Sequence, residues 1–213
     1  MTGDRMGRRL RRRSLMGGLA AVAGLLGGVP APGRAQQQQQ AAPPPAGAGQ
    51  ERLVLEIVDA QGRPKGPPVV IQLLPELAPR HVERVRLLAS RGFYDGTPFH
   101  RVIEGFMAQG GDPTGTGTGG ARDLPNLPAE FSPPSRARFL RGTVGAARTQ
   151  DPNSANSQFF IMFAPAPNLD GQYTIWGRVI SGMETVDAIK RGAPGSGTVT
   201  QPDRIARARL APA

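Results

Sequence analysis

Cysteine is absent from this chain, and histidine occurs only twice, at His81 and His100. Without cysteine there is no disulfide, no catalytic thiol and no cysteine-ligated metal. Two histidines argue against a histidine-rich metal site or a histidine-dependent triad. We therefore expect a protein that works with no metal and no cofactor.

Lysine is nearly absent too, since 24 of the 26 basic residues are arginine. Acidic residues number 16, so the net charge is +10, a value that at first suggests a nucleic-acid partner. The excess is unevenly placed, because residues 1–35 carry seven arginines and one acid, Asp4, for a charge of +6. The other 178 residues carry only +4, from 19 basic and 15 acidic residues. That is an ordinary soluble surface, and we expect no nucleic-acid partner.

Long apolar segments are lacking, and the apolar stretch at residues 14–29 has only sixteen residues, five of them glycine. It follows a basic run, residues 8–13 (RRLRRR), and precedes a small-residue exit, residues 30–35 (PAPGRA). This order is typical of a secretory signal peptide, and residues 12–16 (RRSLM) resemble the twin-arginine export motif. We predict a signal over residues 1–35, cleaved after Ala35, and a periplasmic or exported protein.

An uncleaved membrane anchor that faces the periplasm is the alternative interpretation of this stretch. Sixteen residues at ~1.5 Å per residue reach about 24 Å, short of the roughly 30 Å hydrocarbon core. The glycines weaken the helix further. A cleaved signal is therefore favoured, and we expect contact with a membrane only through an uncleaved signal.

Residues 36–50 (QQQQQAAPPPAGAGQ) contain no large apolar side chain and no periodicity. Such a segment cannot bury enough surface to offset the entropy that ordering costs. We predict a disordered spacer over residues 36–50 and a single folded domain over residues 51–213.

Short strand-like segments recur through this domain with turn-forming residues between them. Residues 52–58 and 69–74 predict a hairpin, and residues 78–91 predict a helix. A second, shorter helix is predicted over residues 183–190. Further strands are predicted over residues 99–103, 106–110, 143–147, 159–163, 174–180 and 205–210. About eight strands and two helices suggest a closed or nearly closed barrel, although composition alone does not separate a barrel from a sandwich.

Two runs carry the chemistry: residues 99–112 (FHRVIEGFMAQGGD) and residues 157–161 (SQFFI). The first sets two apolar side chains and one amide at spacings of 5, 6 and 8 after Arg101. No nucleophile–base pair stands out. One arginine, amides and apolar groups suit a reaction that transfers no proton and forms no covalent bond. Rotation about an X–Pro peptide bond is such a reaction.

The barrier to X–Pro rotation is near 20 kcal/mol because the planar amide is stabilised by resonance. At the twisted transition state the prolyl nitrogen becomes a better acceptor, so a donor aimed at it stabilises that state selectively. Arginine suits this role, since it always carries its protons. Turnover at about 10 s⁻¹ requires ~4 kcal/mol, and one charged hydrogen bond supplies about 1.5–3 kcal/mol. A dry apolar pocket must supply the rest.

The two runs, together with residues 153–160 (NSANSQFF) and 169–177 (LDGQYTIWG), resemble the signature of the cyclophilins, the peptidyl-prolyl cis/trans isomerases. The resemblance covers roughly residues 53–189. It implies a mainly β fold: a closed eight-stranded antiparallel β-barrel capped by two α-helices. It also implies an isomerase that acts on proline-containing unfolded or partly folded polypeptides. The alternative is a weakly catalytic chaperone of the same fold, and in either case we expect a monomer.

The resemblance also implies roles for individual residues. Arg101 would be catalytic, and Gln109 would orient it and bind the substrate backbone. The proline-ring pocket would be lined by Phe106, Met107, Phe160 and Leu169. The groove beside it would be formed by Ala147, Arg148, Thr149 (through its backbone) and Gln158. Taken singly, each apolar residue is as readily part of the core, and only the combination favours a site.

Two positions depart from the best-known eukaryotic members. Asn168 stands where they carry a tryptophan that binds cyclosporin, and Tyr173 stands where they carry a pocket histidine. We expect Tyr173 to line the pocket and activity to be retained. We expect weak cyclosporin binding, because the indole donor and its stacking face are missing.

Several remaining residues are expected to be structural. The glycine-rich residues 110–120 lack the Gly-Lys-Ser/Thr of a phosphate loop, and we expect a close-packed loop beside the site. His100 is expected to be structural and His81 to lie on the helix surface. Asp112 and Glu130 are expected to hold loops as hydrogen-bond acceptors.

Overall fold

The structure, a computed structural model, describes residues 51–212. The predicted signal (residues 1–35) and the predicted spacer (residues 36–50) lie outside the described residues. Eight strands and two α-helices follow one another in the described part, with a short 3₁₀ turn at Pro167–Leu169. They are β1 (Arg52–Val58), β2 (Val69–Leu73), α1 (Pro79–Ser90), β3 (Arg101–Ile103), β4 (Met107–Gly110), β5 (Thr143–Ala146), β6 (Phe159–Met162), β7 (Ile175–Ser181), α2 (Met183–Asp187) and β8 (Arg204–Ala211).

The strands form one antiparallel sheet in the order β3–β4–β6–β5–β7–β2–β1–β8, so β3 and β8 are its edges. The sheet curls into an open half-barrel, and the expectation of a closed barrel is wrong. β3 is only three residues long, and its free edge bonds to a loop instead, where the Val102 N–H donates to Gly197 O at 2.7 Å. β8 meets the residues that precede β3, where the Phe99 N–H donates to Asp203 O at 2.9 Å.

The hydrophobic core fills the inside of the curled sheet. Alternation in β1 places Leu53 and Leu55 inside, where both are fully buried, and α1 covers the same core with Val82 and Leu88. A second apolar cluster lies on the other face of β6, because successive strand residues point to opposite sides. This second cluster is the foundation of the site described below.

α1 begins at Pro79, a residue suited to a first turn, but its N-cap Ala78 has no capping side chain. Glu130, from a distant loop, accepts hydrogen bonds from the backbone N–H groups of Arg80 (3.1 Å) and His81 (3.0 Å) instead. Its carboxylate also meets the His81 ring Nδ1 at 2.6 Å. His81 is therefore buried, and the expectation that it lies on the helix surface is wrong. The expectation that Glu130 serves as an acceptor is confirmed.

All eight strands and both helices occur where the sequence predicts them, with ends shifted by a few residues. The larger difference is α2, which ends at Asp187 rather than at residue 190. Along residues 51–212, no helix combines the length and apolar character needed to cross a membrane.

Candidate active site

A row of directly paired residues crosses four strands on the outer face of the sheet. Arg101 on β3 lies opposite Gln109 on β4, which lies opposite Phe160 on β6, which lies opposite Gly145 on β5. Because directly opposite residues point to the same face, the guanidinium, the amide and the aromatic ring lie side by side. The hairpin spacing of residues 101–109 therefore produces the arrangement that the motif predicts.

A chain of hydrogen bonds holds the guanidinium. Arg101 Nη1 donates to Gln109 Oε1 at 3.4 Å, and Gln109 Nε2 donates to Gln158 Oε1 at 2.9 Å. Arg101 Nε donates to Ser196 O at 3.1 Å, in the loop that covers the edge of β3. The guanidinium thus bonds from two sides and keeps further N–H groups for a ligand.

The guanidinium borders a small cavity of about 110 Å³ beside Phe160. Eight of the ten predicted site residues line it, together with Ala147. They are Arg101, Phe106, Met107, Gln109, Arg148, Phe160, Leu169 and Tyr173. The other two, Thr149 and Gln158, lie in a groove next to it. Apolar walls with a few polar groups at one edge are typical of a site that holds a small apolar ring.

Phe139 supports the pocket from behind and was not singled out by the sequence. Its ring stacks on Phe160, with centroids 5.6 Å apart and an angle of 23° between the planes. Tyr173 meets Phe160 edge-on at 5.7 Å. Phe139 comes from the irregular segment before β5, which has no strand pattern. The only signal in the sequence that this residue is buried is its aromatic side chain.

Arg148 closes one side of the pocket. Its guanidinium lies over the Tyr173 ring, 4.3 Å from the centroid, and donates to Thr149 O and Gln172 O, each at 2.8 Å. A cation over an aromatic face is attracted to its electron density. Arg148 therefore contributes a held, planar wall and lines both the pocket and the neighbouring groove.

The neighbouring groove has a volume of about 450 Å³, and the glycine-rich loop forms one of its sides. Asp112, fully buried, organises this loop by accepting hydrogen bonds from the backbone of Thr114 (2.8 Å), Gly117 (2.7 Å) and Gly119 (3.1 Å). Gln158 Nε2 in turn donates to the carbonyls of Gly117 and Gly119. The expected close-packed loop beside the site is confirmed, with Asp112 as its acceptor.

The electrostatics of the site follow from burial. Burial raises the pKa of the Asp112 carboxyl, but the hydrogen bonds that it accepts outweigh burial and leave that pKa below its ordinary value. Burial lowers the pKa of His100, and neither ring nitrogen has a hydrogen-bond partner among the described residues. His100 is thus a buried neighbour of Arg101, as expected. No group of three or more His, Asp or Glu residues suited to a metal occurs within residues 51–212.

The fold and the pocket together define a class: an antiparallel half-barrel that presents an arginine beside a small apolar pocket. The family model for cyclophilin type peptidyl-prolyl cis-trans isomerase/CLD matches residues 57–210. A probable peptidyl-prolyl cis-trans isomerase of Brucella suis is 51% identical over 154 residues, which cover 67% of this chain and 76% of that protein. A peptidyl-prolyl cis-trans isomerase of Arabidopsis thaliana is 43% identical over 119 residues, 56% of this chain and 74% of that protein.

Solved structures agree. The crystal structure of a Cryptosporidium parvum cyclophilin type peptidyl-prolyl cis-trans isomerase, in the presence of the dipeptide Ala-Pro, matches with a TM-score of 0.66 and 29% identity. It covers 75% of this chain and 98% of that chain. A cyclophilin from Hirschia baltica matches with a TM-score of 0.61 and 29% identity, over 74% of this chain and 72% of that chain. The chain belongs to the cyclophilin family of peptidyl-prolyl cis-trans isomerases. It is an enzyme that accelerates rotation about X–Pro bonds.

Proposed function

We propose that Arg101 catalyses the rotation by donating a hydrogen bond to the prolyl nitrogen as the amide twists. The observation that carries this proposal is the position of the guanidinium, at the polar edge of an apolar pocket and held by Gln109 and the Ser196 carbonyl. The planar amide nitrogen is a poor acceptor and the twisted nitrogen a good one. The hydrogen bond therefore favours the transition state over the ground state.

The apolar pocket supplies the second contribution. The proline ring would lie against Phe160, with Phe106, Met107 and Leu169 around it. This environment excludes water from the twisting bond and disfavours the dipolar planar amide. Because Phe139 and Tyr173 hold the Phe160 ring from two directions, the pocket is in place before substrate arrives.

Gln109 is proposed as a positioning residue with a direct contact to the substrate backbone. Its amide oxygen accepts from Arg101 while its amide nitrogen donates to Gln158. The residues before the proline would extend along the groove bordered by Arg148, Thr149 and Gln158. Several residues that line the groove are glycines, among them Gly117, Gly119 and Gly120, which leaves room for side chains of varied size.

The decisive experiment is a coupled isomerisation assay on residues 36–213 with an X–Pro test peptide, run with R101A, R101K and wild type. We expect R101A to lower kcat/KM by roughly 10- to 150-fold, the equivalent of one charged hydrogen bond. R101K keeps the charge but loses the planar fork, so intermediate activity is expected. Peptide binding by NMR titration should survive in R101A, because the apolar pocket is intact. Unchanged turnover in R101A would refute the role of Arg101.

A holding chaperone of the same fold is the second candidate. It would bind proline segments with little turnover and would not require the guanidinium. The same assay separates the two, because a protein that binds the peptide but gives no turnover in the wild type would be such a chaperone. The guanidinium held at the pocket edge favours the enzyme.

We further propose that residues 1–35 direct export in the folded state and that the mature monomer acts on unfolded or partly folded envelope proteins. The support is the sequence order of basic run, apolar run and small-residue exit. The test fuses residues 1–50 to a reporter and compares R12K/R13K with R8K/R9K. We expect only the first variant to block export. Equal export by both variants would refute the twin-arginine route.

A further inference from the structure

A second cavity, of about 480 Å³, lies between the ends of β2 and β7 and the segment that precedes β5. Its lining differs from that of the proline pocket. Apolar side chains form part of it, among them Leu74, Leu77 and Ile175. Three arginines, Arg136, Arg138 and Arg178, also line it, together with neutral polar and small residues. It includes no carboxylate side chain and no member of the proposed active site. A cavity of this size can enclose one or two side chains of a ligand.

The three arginines of this cavity carry no ion pair within residues 51–212, although six other arginines there do. Two of these side chains are held by hydrogen bonds to backbone carbonyls. Arg136 donates to Glu76 O, and Arg138 Nε donates to Pro134 O at 3.0 Å. Arg138 therefore keeps both of its terminal NH₂ groups open. Three positively charged groups with unused donors surround an apolar surface.

The sheet register extends the positive charge beyond the cavity. Arg178 on β7 pairs with Gln72 on β2, and Gln72 pairs with Arg52 on β1, so these three residues share one face. Arg52 also carries no ion pair among the described residues. The basic groups thus continue in a line from the cavity along the sheet.

We propose that this cavity is a second binding site, for an acidic segment of a polypeptide that places an apolar side chain between carboxylates. Carboxylates match the guanidinium groups, which bind them through paired, charge-assisted hydrogen bonds. The apolar side chain matches Leu74, Leu77 and Ile175. A nucleic acid would leave those apolar groups unused, and polypeptides are the class of molecule on which the enzyme already acts.

The chain's own N-terminal segment does not have the chemistry of this occupant. Residues 5–50 contain no acidic residue at all, and residues 36–50 are uncharged. We therefore assign the acidic segment to a partner polypeptide that binds independently of the proline pocket.

The test measures fluorescence anisotropy of a short, proline-free peptide in which glutamates alternate with leucines. We expect saturable binding to wild-type residues 36–213. We expect R138Q/R178Q to bind the peptide at least about tenfold more weakly, since two charged hydrogen-bond partners are lost. The matched control R204Q/R207Q removes the same charge from β8 and should bind as wild type does. R101A should also bind as wild type, which separates this site from the proline pocket. Turnover of a short X–Pro peptide should be unchanged in both double variants, which shows that they fold.

Three outcomes would overturn the proposal. One is equal loss of binding in R138Q/R178Q and R204Q/R207Q, which would indicate bulk charge alone. Another is equally tight binding of a peptide with glutamines in place of the glutamates. The third is the absence of peptide binding together with Arg138-dependent binding to phosphatidylglycerol vesicles, which would identify a lipid surface instead.

Discussion

His100 is the buried neighbour of Arg101, and its ring carries two nitrogens without partners among the described residues. Burial lowers its pKa below the ordinary value of about 6.5. Between that folded-state pKa and about 6.5, the unfolded chain binds a proton that the folded chain rejects. Its contribution is therefore fully present above about pH 6.5 and is lost as the pH falls towards the folded-state pKa.

We predict that the free energy of unfolding decreases on acidification below about pH 6.5 and that H100Q flattens this dependence. Urea titrations at a series of pH values measure both. Because His81 is present in both proteins, any difference between their pH dependences is due to His100. Parallel pH dependences in wild type and H100Q would contradict the prediction.

Asn168 is the residue that we expect to determine the sensitivity of the enzyme to cyclosporin. It is exposed, in the 3₁₀ turn next to Leu169 of the pocket, and lacks the indole that cyclosporin requires in the best-known members. We predict weak inhibition of wild type by cyclosporin and stronger inhibition of N168W. The isomerisation assay with increasing cyclosporin gives both values. Because the pocket itself is unaltered, turnover without inhibitor should be similar in the two proteins.

Strand β5 carries a glycine where the site needs space. A Cβ on Gly145 would lie 2.6 Å from Phe160 Cζ and 2.7 Å from Phe139 Cε1, closer than atoms approach without displacement. The missing side chain is what allows Phe139 to stack on Phe160, which lines the pocket.

We predict that G145A pushes Phe160 towards the pocket, lowers kcat/KM and destabilises the fold by about 1–3 kcal/mol. The isomerisation assay and urea unfolding measure the two effects. F139L in the same chain removes one of the two opposing rings and should recover part of the stability. A G145A protein with unchanged activity and stability would show that the rings have room to move.

Helix α1 depends on a residue 49 positions away, because Glu130 binds its first-turn N–H groups and the His81 ring. Burial raises the pKa of Glu130, but the hydrogen bonds from His81 and Arg80 outweigh it and leave the pKa lowered. The contribution of this carboxylate is thus fully present above about pH 4.5, the ordinary pKa of a glutamate, and is lost as the pH falls through the lowered folded-state pKa.

We predict that E130A lowers the free energy of unfolding at neutral pH by about 1–3 kcal/mol, since buried donors lose their acceptor. E130Q keeps an acceptor oxygen and should lose less. Urea unfolding at neutral pH compares the three proteins. Wild-type stability in E130A would mean that the helix does not need this carboxylate, and equal losses in E130A and E130Q would mean that an amide oxygen cannot replace it.

Local pattern predicted most elements, because strand alternation and helix period are set by neighbours in sequence. The motif also predicted which residues share the pocket, since Arg101 and Gln109 face each other within one short hairpin. The sequence did not predict contacts between segments that are far apart in the chain. His81 is buried by Glu130, and Phe139 reaches Phe160 from an irregular segment, and neither contact leaves a periodic signal. The open edge of the sheet depends on how loops cover β3, which alternation does not report.

At the scale of the whole molecule, the described residues form a hydrophobic core and line both the proposed active site and the arginine-rich cavity. Glu51 is held to this domain by two contacts: its carbonyl accepts from the Leu73 N–H at 3.2 Å, and its carboxylate pairs with Arg86. Most of the excess positive charge lies in residues 1–35 instead. The folded domain and most of the excess positive charge thus belong to different segments of the chain.

We predict that residues 51–213 have the same kcat/KM and nearly the same Tm as residues 36–213, because residues 36–50 contain no large apolar side chain that could add to a core. The isomerisation assay and thermal unfolding compare the two proteins.

DNA binding by both should be weak, with a shallow dependence on salt, since a net charge of only +4 remains. A marked loss of Tm on removing residues 36–50 would contradict the prediction and give that segment a structural role that its composition does not indicate.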